Sequence, residues 1–243
     1  MTRATAERIL PLLDLTDLAD TCTATRIDAL CRDARAGGVA ALCVWPQFVS
    51  QAARALAGCP VRVATVINFP AGAEDVARAV DDTEAALRDG AHEIDLVLPY
   101  RALLRGDPDT ARGLVEAVRE VCPGTTRTCL KVILETGALA APETIAAASR
   151  LALAAGADFI KTSTGKTPVS ATPGAVQTML GVVRAVGRGG VKISGGLRTL
   201  ADAAAYLALA DRAMGPDWAS PATFRIGASG LFAALMAARE AGA

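Results

Sequence analysis

The sequence predicts an α/β fold, a single-domain (β/α)8 TIM barrel spanning residues 1–243, and three observations carry that reading. Short apolar runs alternate with longer amphipathic or alanine-rich ones from end to end, eight of each. Glycines close most of the helical runs, and no proline- or serine-rich linker divides the chain. Eight apolar strands separated by helices imply parallel pairing through right-handed crossovers. An open doubly wound sheet is the alternative, but eight units in 243 residues suit a closed barrel better.

The strand candidates are Leu10–Leu15, Val39–Val44, Val61–Ile67, Glu93–Leu98, Cys129–Leu134, Asp158–Thr162, Val191–Ser194 and Thr223–Ile226. Each is short, rich in Val, Ile and Leu, and bounded by turn formers. The helical stretches are Thr25–Ala36, Pro46–Ala57, Glu74–Arg88, Pro108–Val121, Pro142–Ala155, Pro173–Val186, Leu200–Leu209 and Leu231–Arg239. Gly37, Gly58, Gly90, Gly156 and Gly189 stand where C-terminal caps are expected. Pro142 and Pro173 sit at helix starts, where a missing N–H does no harm. A leading segment, Thr2–Arg8, reads as a short helix covering the bottom of the barrel. A weak internal echo aligns Gly90-Ala91-His92-Glu93-Ile94-Asp95 with Gly156-Ala157-Asp158-Phe159-Ile160-Lys161, which gives Asp95 and Lys161 equivalent strand positions.

Composition narrows the function. Hydrophobic residues make up 52% of the chain, enough for one sizeable core. Net charge is zero, so neither a nucleic-acid surface nor a polybasic membrane patch is expected. The first residues lack a secretory apolar core, no apolar run reaches transmembrane length, and the expected location is cytoplasmic. Six cysteines show no zinc-like spacing, and His92 is the single histidine, so no metal site and no cofactor are expected. Cys43 has no histidine to serve as its base, which argues against a Cys–His nucleophile.

Lysine usage is the most informative feature. Of 25 Lys and Arg residues only four are lysines: Lys131, Lys161, Lys166 and Lys192. Drift toward arginine accounts for the missing ones, but three of the survivors lie inside apolar strand runs. An ammonium there is costly unless paired or used chemically. Lysine, unlike arginine, can reach a pKa low enough to give a neutral nucleophilic amine. At an ordinary pKa of about 10.4, roughly one lysine in two thousand is neutral at pH 7. A second ammonium about 5 Å away disfavours protonation by about 3 kcal/mol at an effective dielectric near 20, and desolvation acts in the same direction. Strand alternation lets Asp95, Lys161 and Lys192 face one axial cavity, with Asp95 holding the charged amine and relaying protons through water. The residues alone do not say which lysine attacks. A buried ion-pair network that only sets register is the competing reading, and paired lysines with few acids make it a poor structural choice.

The strand ends are also polar: Asp14 and Thr16, Cys43, Asn68, Asp95, Glu135, Lys161 with Thr162, Lys192 with Ser194. In this fold, chemistry sits at that end of the barrel. Three late loops suit an anion: Thr164-Gly165-Lys166, Ser194-Gly195-Gly196 and Gly227-Ala228-Ser229-Gly230. Their glycines let backbone N–H groups approach an oxyanion, and the last loop opens a helix at its positive end.

Several motifs in order over nearly the whole chain resemble the deoxyribose-phosphate aldolase family. They are Leu13-Asp14-Leu15-Thr16, Leu42-Cys43-Val44-Trp45-Pro46, Asn68-Phe69-Pro70-Ala71-Gly72, Glu93-Ile94-Asp95-Leu96-Val97-Leu98-Pro99, Lys131-Val132-Ile133-Leu134-Glu135-Thr136, Phe159-Ile160-Lys161-Thr162-Ser163-Thr164-Gly165-Lys166, Val191-Lys192-Ile193-Ser194-Gly195-Gly196 and Arg225-Ile226-Gly227-Ala228-Ser229. The resemblance implies a metal-free class I aldolase that reversibly cleaves 2-deoxy-D-ribose 5-phosphate to D-glyceraldehyde 3-phosphate and acetaldehyde. It makes Lys161 the Schiff-base lysine, Lys192 the lysine that depresses its pKa, and Asp95 the proton-relay acid. Asp14, Thr16, Cys43 and Lys131 match cavity-lining residues, and Gly165, Lys166, Gly195, Gly196 and Ser229 match phosphate binders. Gly230 departs from the family pattern, in which a second serine often follows the first, so one hydroxyl donor is missing. The chain also stops soon after its last helix, whereas some relatives continue into a tail ending near the active site. Family likeness implies a homodimer. Two alternatives stay open: another Schiff-base aldolase or transaldolase with a different sugar phosphate, and a non-catalytic barrel that binds sugar phosphates.

Overall fold

The computed structural model describes residues 3–122 and 128–241. Eight strands close into one parallel barrel in sequence order. They are β1 (Leu13–Asp17), β2 (Ala41–Val44), β3 (Arg62–Ile67), β4 (Glu93–Val97), β5 (Cys129–Ile133), β6 (Phe159–Lys161), β7 (Gly190–Ser194) and β8 (Phe224–Ala228). The ring closes where β1 pairs with β8, Leu13 opposite Ile226 and Leu15 opposite Ala228.

Helices α1 (Arg3–Ile9), α2 (Ala24–Gly37), α3 (Val49–Ala55), α4 (Val76–Arg88), α5 (Tyr100–Leu104) and α6 (Pro108–Val121) belong to the first half. The second half holds α7 (Thr136–Leu139), α8 (Pro142–Ala154), α9 (Pro173–Val186), α10 (Leu200–Met214) and α11 (Leu231–Glu240). Side-chain caps start several of them. Thr23, Asp75, Asp107 and Thr172 accept from backbone N–H groups of the first turns of α2, α4, α6 and α9. Thr199 and Asp202 form a reciprocal capping box on α10. Each cap satisfies N–H groups that the helix leaves unpaired, an effect of about 1 kcal/mol.

The architecture matches the sequence expectation, with local differences. Leu10–Leu12 forms a 3-10 turn, so the first strand begins at Leu13 and not Leu10. Pro11 lies within that turn, where its fixed φ suits a helical bend. The stretch from Pro46 is a 3-10 turn, Pro46–Phe48, followed by α3. Two one-turn helices, α5 and α7, were not anticipated, because runs of five and four residues carry no periodicity to read. The cap of α2 is Gly38, φ 64°, and not Gly37, which is still helical. Similarly Gly187, φ 75°, closes α9, two residues before Gly189. Of the anticipated leading helix, Thr2 lies outside the described residues, and α1 runs from Arg3 to bury Ala6 and Ile9.

Most of the apolar core lies between the barrel and its helices. Inside the barrel the apolar filling is slight. Ala41, Cys43, Ala64 and Val66 of β2 and β3 form a separate small cluster. Much of the rest of the interior is ionic. Asp14, Glu93, Asp95, Lys131, Lys161, Lys192 and Arg225 are all buried, contributed by β1, β4, β5, β6, β7 and β8. An ionic interior needs its charges matched, which leads to the site.

Candidate active site

Strand alternation aims the charges inward. On β4, Glu93 and Asp95 are two residues apart and share the inner face. Asp95 lies opposite Lys131 across the β4–β5 pairing. Lys161, the last residue of β6, lies opposite Lys192 on β7, which lies opposite Arg225 on β8. One carboxylate gathers three amines. Lys131 Nζ donates to Asp95 Oδ1 at 2.7 Å, and Lys161 Nζ and Lys192 Nζ each donate to Oδ2 at 2.7 Å. Because Lys161 and Lys192 share one oxygen, their nitrogens are within strong electrostatic reach of each other.

Further pairs extend the array. Lys192 Nζ is 2.6 Å from Asp14 Oδ2, and Lys131 Nζ is 2.7 Å from Glu93 Oε2. The Arg225 guanidinium joins the two outer acids, with Nη1 2.7 Å from Asp14 Oδ1 and Nη2 3.0 Å from Glu93 Oε1. Glu93 and Arg225 were not singled out from sequence. Glu93 was legible as the residue two before Asp95, and Arg225 as a charge inside an apolar strand run. Attention to lysine hid both. The acids are therefore not few: Asp14, Glu93 and Asp95 stand against Lys131, Lys192, Arg225 and Lys161.

The electrostatics sort the amines into two kinds. Burial disfavours the charge on Lys192, but Asp14 and Asp95 outweigh it and raise its pKa. Lys131 is likewise raised, against burial, by Asp95, Glu93 and Asp14. Lys161 alone is lowered: burial is the largest cause, Asp95 opposes it, and the Lys192 charge adds to it. The sequence argument put the neighbouring ammonium first; in the structure desolvation leads. Burial would raise Asp95, but Lys131, Lys161 and Lys192 together hold it well below the usual carboxylate range. For Asp14, burial is likewise overcome, here by Lys192 and Arg225.

The cavity-lining expectations divide. Asp14 and Lys131 are fully buried members of the ionic array rather than wall residues of an open cavity. Thr16 is half-buried and its Oγ1 donates to the Asp14 carbonyl at 2.8 Å. Cys43 is buried, and burial pushes its thiol pKa up. Gly227 makes room for the array, because a Cβ there would lie 2.5 Å from Ser194 Oγ and 3.1 Å from Lys192 Cε.

The loops that follow β6 and β7, the strands of Lys161 and Lys192, lie against each other. Gly165, Gly195 and Gly196 all have positive φ, at 78°, 85° and 80°. A Cβ on Gly195 would collide with Ser170 Oγ and lie 3.5 Å from Gly165 Cα, so these two loops abut. Ser229 and Gly230 are exposed, and Gly230 is the N-cap of α11 with no side chain capping the first turn. Lys166 pairs with Asp20 at 3.2 Å and lies over the Trp45 ring. Such an exposed pair is worth at most about 1 kcal/mol.

Glu135 has a part that its strand-end position did not reveal. It is buried in the left-handed region, φ 56°. Its Oε2 accepts from Thr164 Oγ1 at 2.6 Å and from the Thr164 N–H at 3.3 Å, and its Oε1 accepts from Thr167 Oγ1 at 3.1 Å. The carboxylate thus fixes the loop that carries Gly165 and Lys166. Asn68, another polar strand end, folds its own loop through bonds to Ala73 and Val97.

Comparison with known proteins identifies the family. Residues 8–232 match the model of the DeoC/LacD family of aldolases. A deoxyribose-phosphate aldolase of Agrobacterium fabrum is 49% identical over 233 residues, 94% of this chain and 89% of the relative. An apo-form crystal structure from Toxoplasma gondii ME49, assigned as a deoxyribose-phosphate aldolase, superposes with TM-score 0.89 at 27% identity, covering 98% of this chain and 97% of that one. The tetrameric deoxyribose phosphate aldolase of Aeropyrum pernix gives TM-score 0.76 at 26% identity over 97% and 91%. With its closed barrel, its buried amines and a family match over most of its length, the chain belongs to the DeoC/LacD family of aldolases.

Proposed function

We propose that the chain is a class I aldolase that reversibly cleaves 2-deoxy-D-ribose 5-phosphate to D-glyceraldehyde 3-phosphate and acetaldehyde. The observation that carries the reading is the buried Lys161 amine sharing one Asp95 oxygen with Lys192, a site where burial and the Lys192 charge shift its pKa down while those of Lys192 and Lys131 are raised. A neutral amine is what Schiff-base chemistry requires. The glycine-bearing loops that follow β6, β7 and β8 support a phosphorylated substrate, as does the 49% identical relative named for that activity.

In the cleavage direction Lys161 Nζ adds to the aldehyde carbon of the open-chain sugar, and loss of water gives an iminium. A water beside Asp95 takes the C3 hydroxyl proton. The C2–C3 electron pair then moves into the iminium, forming an enamine and releasing glyceraldehyde 3-phosphate. Protonation of the enamine carbon and hydrolysis release acetaldehyde and regenerate the amine. Lys192, kept charged by Asp14 and Asp95, disfavours a proton on Lys161 throughout. Gly165, Lys166, Gly195, Gly196, Ser229 and Gly230, with Thr164 beside them, would hold the phosphate.

The reading covers residues 1–243 as one domain, in the cytoplasm. Among the described residues no helix is long and apolar enough to cross a membrane. From the family resemblance we take the assembly to be a homodimer, which light scattering would test. The activity test measures 2-deoxyribose 5-phosphate cleavage by the wild type and by Lys161→Ala. Wild-type turnover should fall at least about a thousand-fold in the variant. Near-wild-type turnover in the variant overturns the assignment. Condensation with dihydroxyacetone in place of acetaldehyde would instead favour a different sugar-phosphate aldolase.

A further inference from the structure

We propose that Arg225, whose guanidinium bridges Asp14 and Glu93, is a positioning residue of the reaction: it supplies the third permanent cation that balances three buried carboxylates and so leaves Lys161 free of its proton. The inference rests on the reading of Lys161 as the Schiff-base amine.

The charges can be followed strand by strand. Asp14, Glu93 and Asp95 are buried without exposed surface, as are Lys131 and Lys192. Lys161 and Arg225 are 2% and 4% exposed. Buried charge is tolerated when matched and costly when not. Three carboxylates against Lys131, Lys192 and Arg225 sum to zero. The array is therefore complete without a charge on Lys161. Without Arg225 the same three carboxylates would face two obligate cations, and a proton on Lys161 would restore neutrality.

The contacts of Arg225 fit that role. Its guanidinium bridges Asp14 and Glu93, the two acids that hold Lys192 and Lys131. Nε also donates to the Pro221 carbonyl, and the group lies over the Phe159 ring. Arginine suits the position because it stays protonated even when buried; here burial lowers its pKa but Asp14 and Glu93 outweigh that and raise it. Its strand is two removed from that of Lys161, a lateral spacing of about 10 Å. One unit charge at that distance and an effective dielectric near 20 moves a pKa by about one unit.

Other charged groups face the array and belong in the account. Asp95 from β4, Lys192 from β7 and Cys43 from β2 face Lys161, and Lys131 from β5 shares its Asp95 partner. Asp14, Glu93 and Cys129 face Arg225. Arg62 reaches Glu93 at 3.2 Å from the side of a cavity of about 780 Å³, which Arg225, Glu93, Asp158, Arg184 and Arg188 also line. The Arg62 side chain is 37% exposed, so solvent screens it as it does not screen Arg225.

The test reads the pH midpoint for reductive trapping of acetaldehyde on Lys161 with borohydride, located by peptide mapping. Arg225→Met should move the midpoint up by about one pH unit, with trapping recovered at alkaline pH. Arg225→Lys should keep it near the wild-type value. Glu93→Gln should move it down, and Glu93→Gln/Arg225→Met should bring it back toward wild type. A purely structural role would lower yield at every pH without that pattern of signs. Should Arg225→Met not fold, the downward shift in Glu93→Gln decides. A midpoint unchanged in Arg225→Met, or in Glu93→Gln, overturns the inference. Failure of the wild type to label Lys161 at all refutes the underlying aldolase reading instead.

Discussion

Lys161 is held where its proton is least welcome, and that has a thermodynamic signature separate from catalysis. Burial, with help from Lys192, lowers its pKa against the pull of Asp95. A base whose folded pKa lies below its unfolded value costs stability. The cost is full below the folded pKa and vanishes once pH exceeds the unfolded value of about 10.4. Asp95 would keep Lys131 and Lys192 as partners if Lys161 were removed. Lys161→Met should therefore be inactive yet more stable at pH 7, by about 1 kcal/mol or ~2–4 °C in Tm. Differential scanning calorimetry checks this, and a lower Tm would show that the amine contributes to the fold instead of straining it. The lysines and Asp95 could be found in the sequence because a charge inside an apolar strand is anomalous. Glu93 and Arg225 carried the same signal, but among so many acids and arginines only their inward register distinguishes them.

Between β6 and α9 the chain forms the loop that would receive phosphate, and Glu135 at the end of β5 holds it. Three hydrogen bonds run from Thr164 and Thr167 to its carboxylate. Replacing one accepting oxygen with an amide leaves part of that bonding unmade, a loss of roughly 1–3 kcal/mol. Glu135→Gln should raise KM for the phosphorylated sugar about tenfold, with kcat within about threefold. The same variant should leave the unphosphorylated sugar nearly unaffected. Steady-state kinetics with both sugars checks the split, and equal losses on both would mean that Glu135 acts on the amines. Most elements were legible because period and punctuation agree, as in α6, where Asp107 caps and Pro108 begins the helix. Boundaries failed where one residue type serves two conformations. Pro11 sits in a 3-10 turn that hydrophobicity alone joined to β1, and Gly37 stays helical because Gly38 takes the positive φ.

Across the whole barrel, the ionic interior sets a pH range for stability. Asp14 and Asp95 have folded pKa values below the unfolded ones, so their contribution is present above about pH 4 and lost as pH falls through the folded values. For Lys131 and Lys192 the shift is upward; their contribution is present below about pH 10.4 and lost as pH rises through the folded values. Urea midpoints measured across pH should stay high between about pH 5 and pH 10 and fall outside. A maximum confined to a narrow band near pH 6.6, the sequence pI, would instead point to net surface charge as the governing term. The closed topology followed from eight alternating units, since parallel strands need crossovers and a closed ring leaves no edge. The charge-matched interior did not follow, because it depends on residues far apart in sequence, such as Asp14 and Arg225, which only barrel closure between β1 and β8 brings together.

Chemical capture of the amine tests the account most directly. The protein is incubated with acetaldehyde at pH 7, reduced with borohydride, and analysed by intact mass and peptide mapping. An increase of about 28 Da, for one ethyl group added at one nitrogen, is expected on Lys161 and on no other lysine. An unmodified Lys161, or an adduct carried by Lys192 or Lys131 in its place, would contradict the central claim that Lys161 is the reactive amine of the buried set.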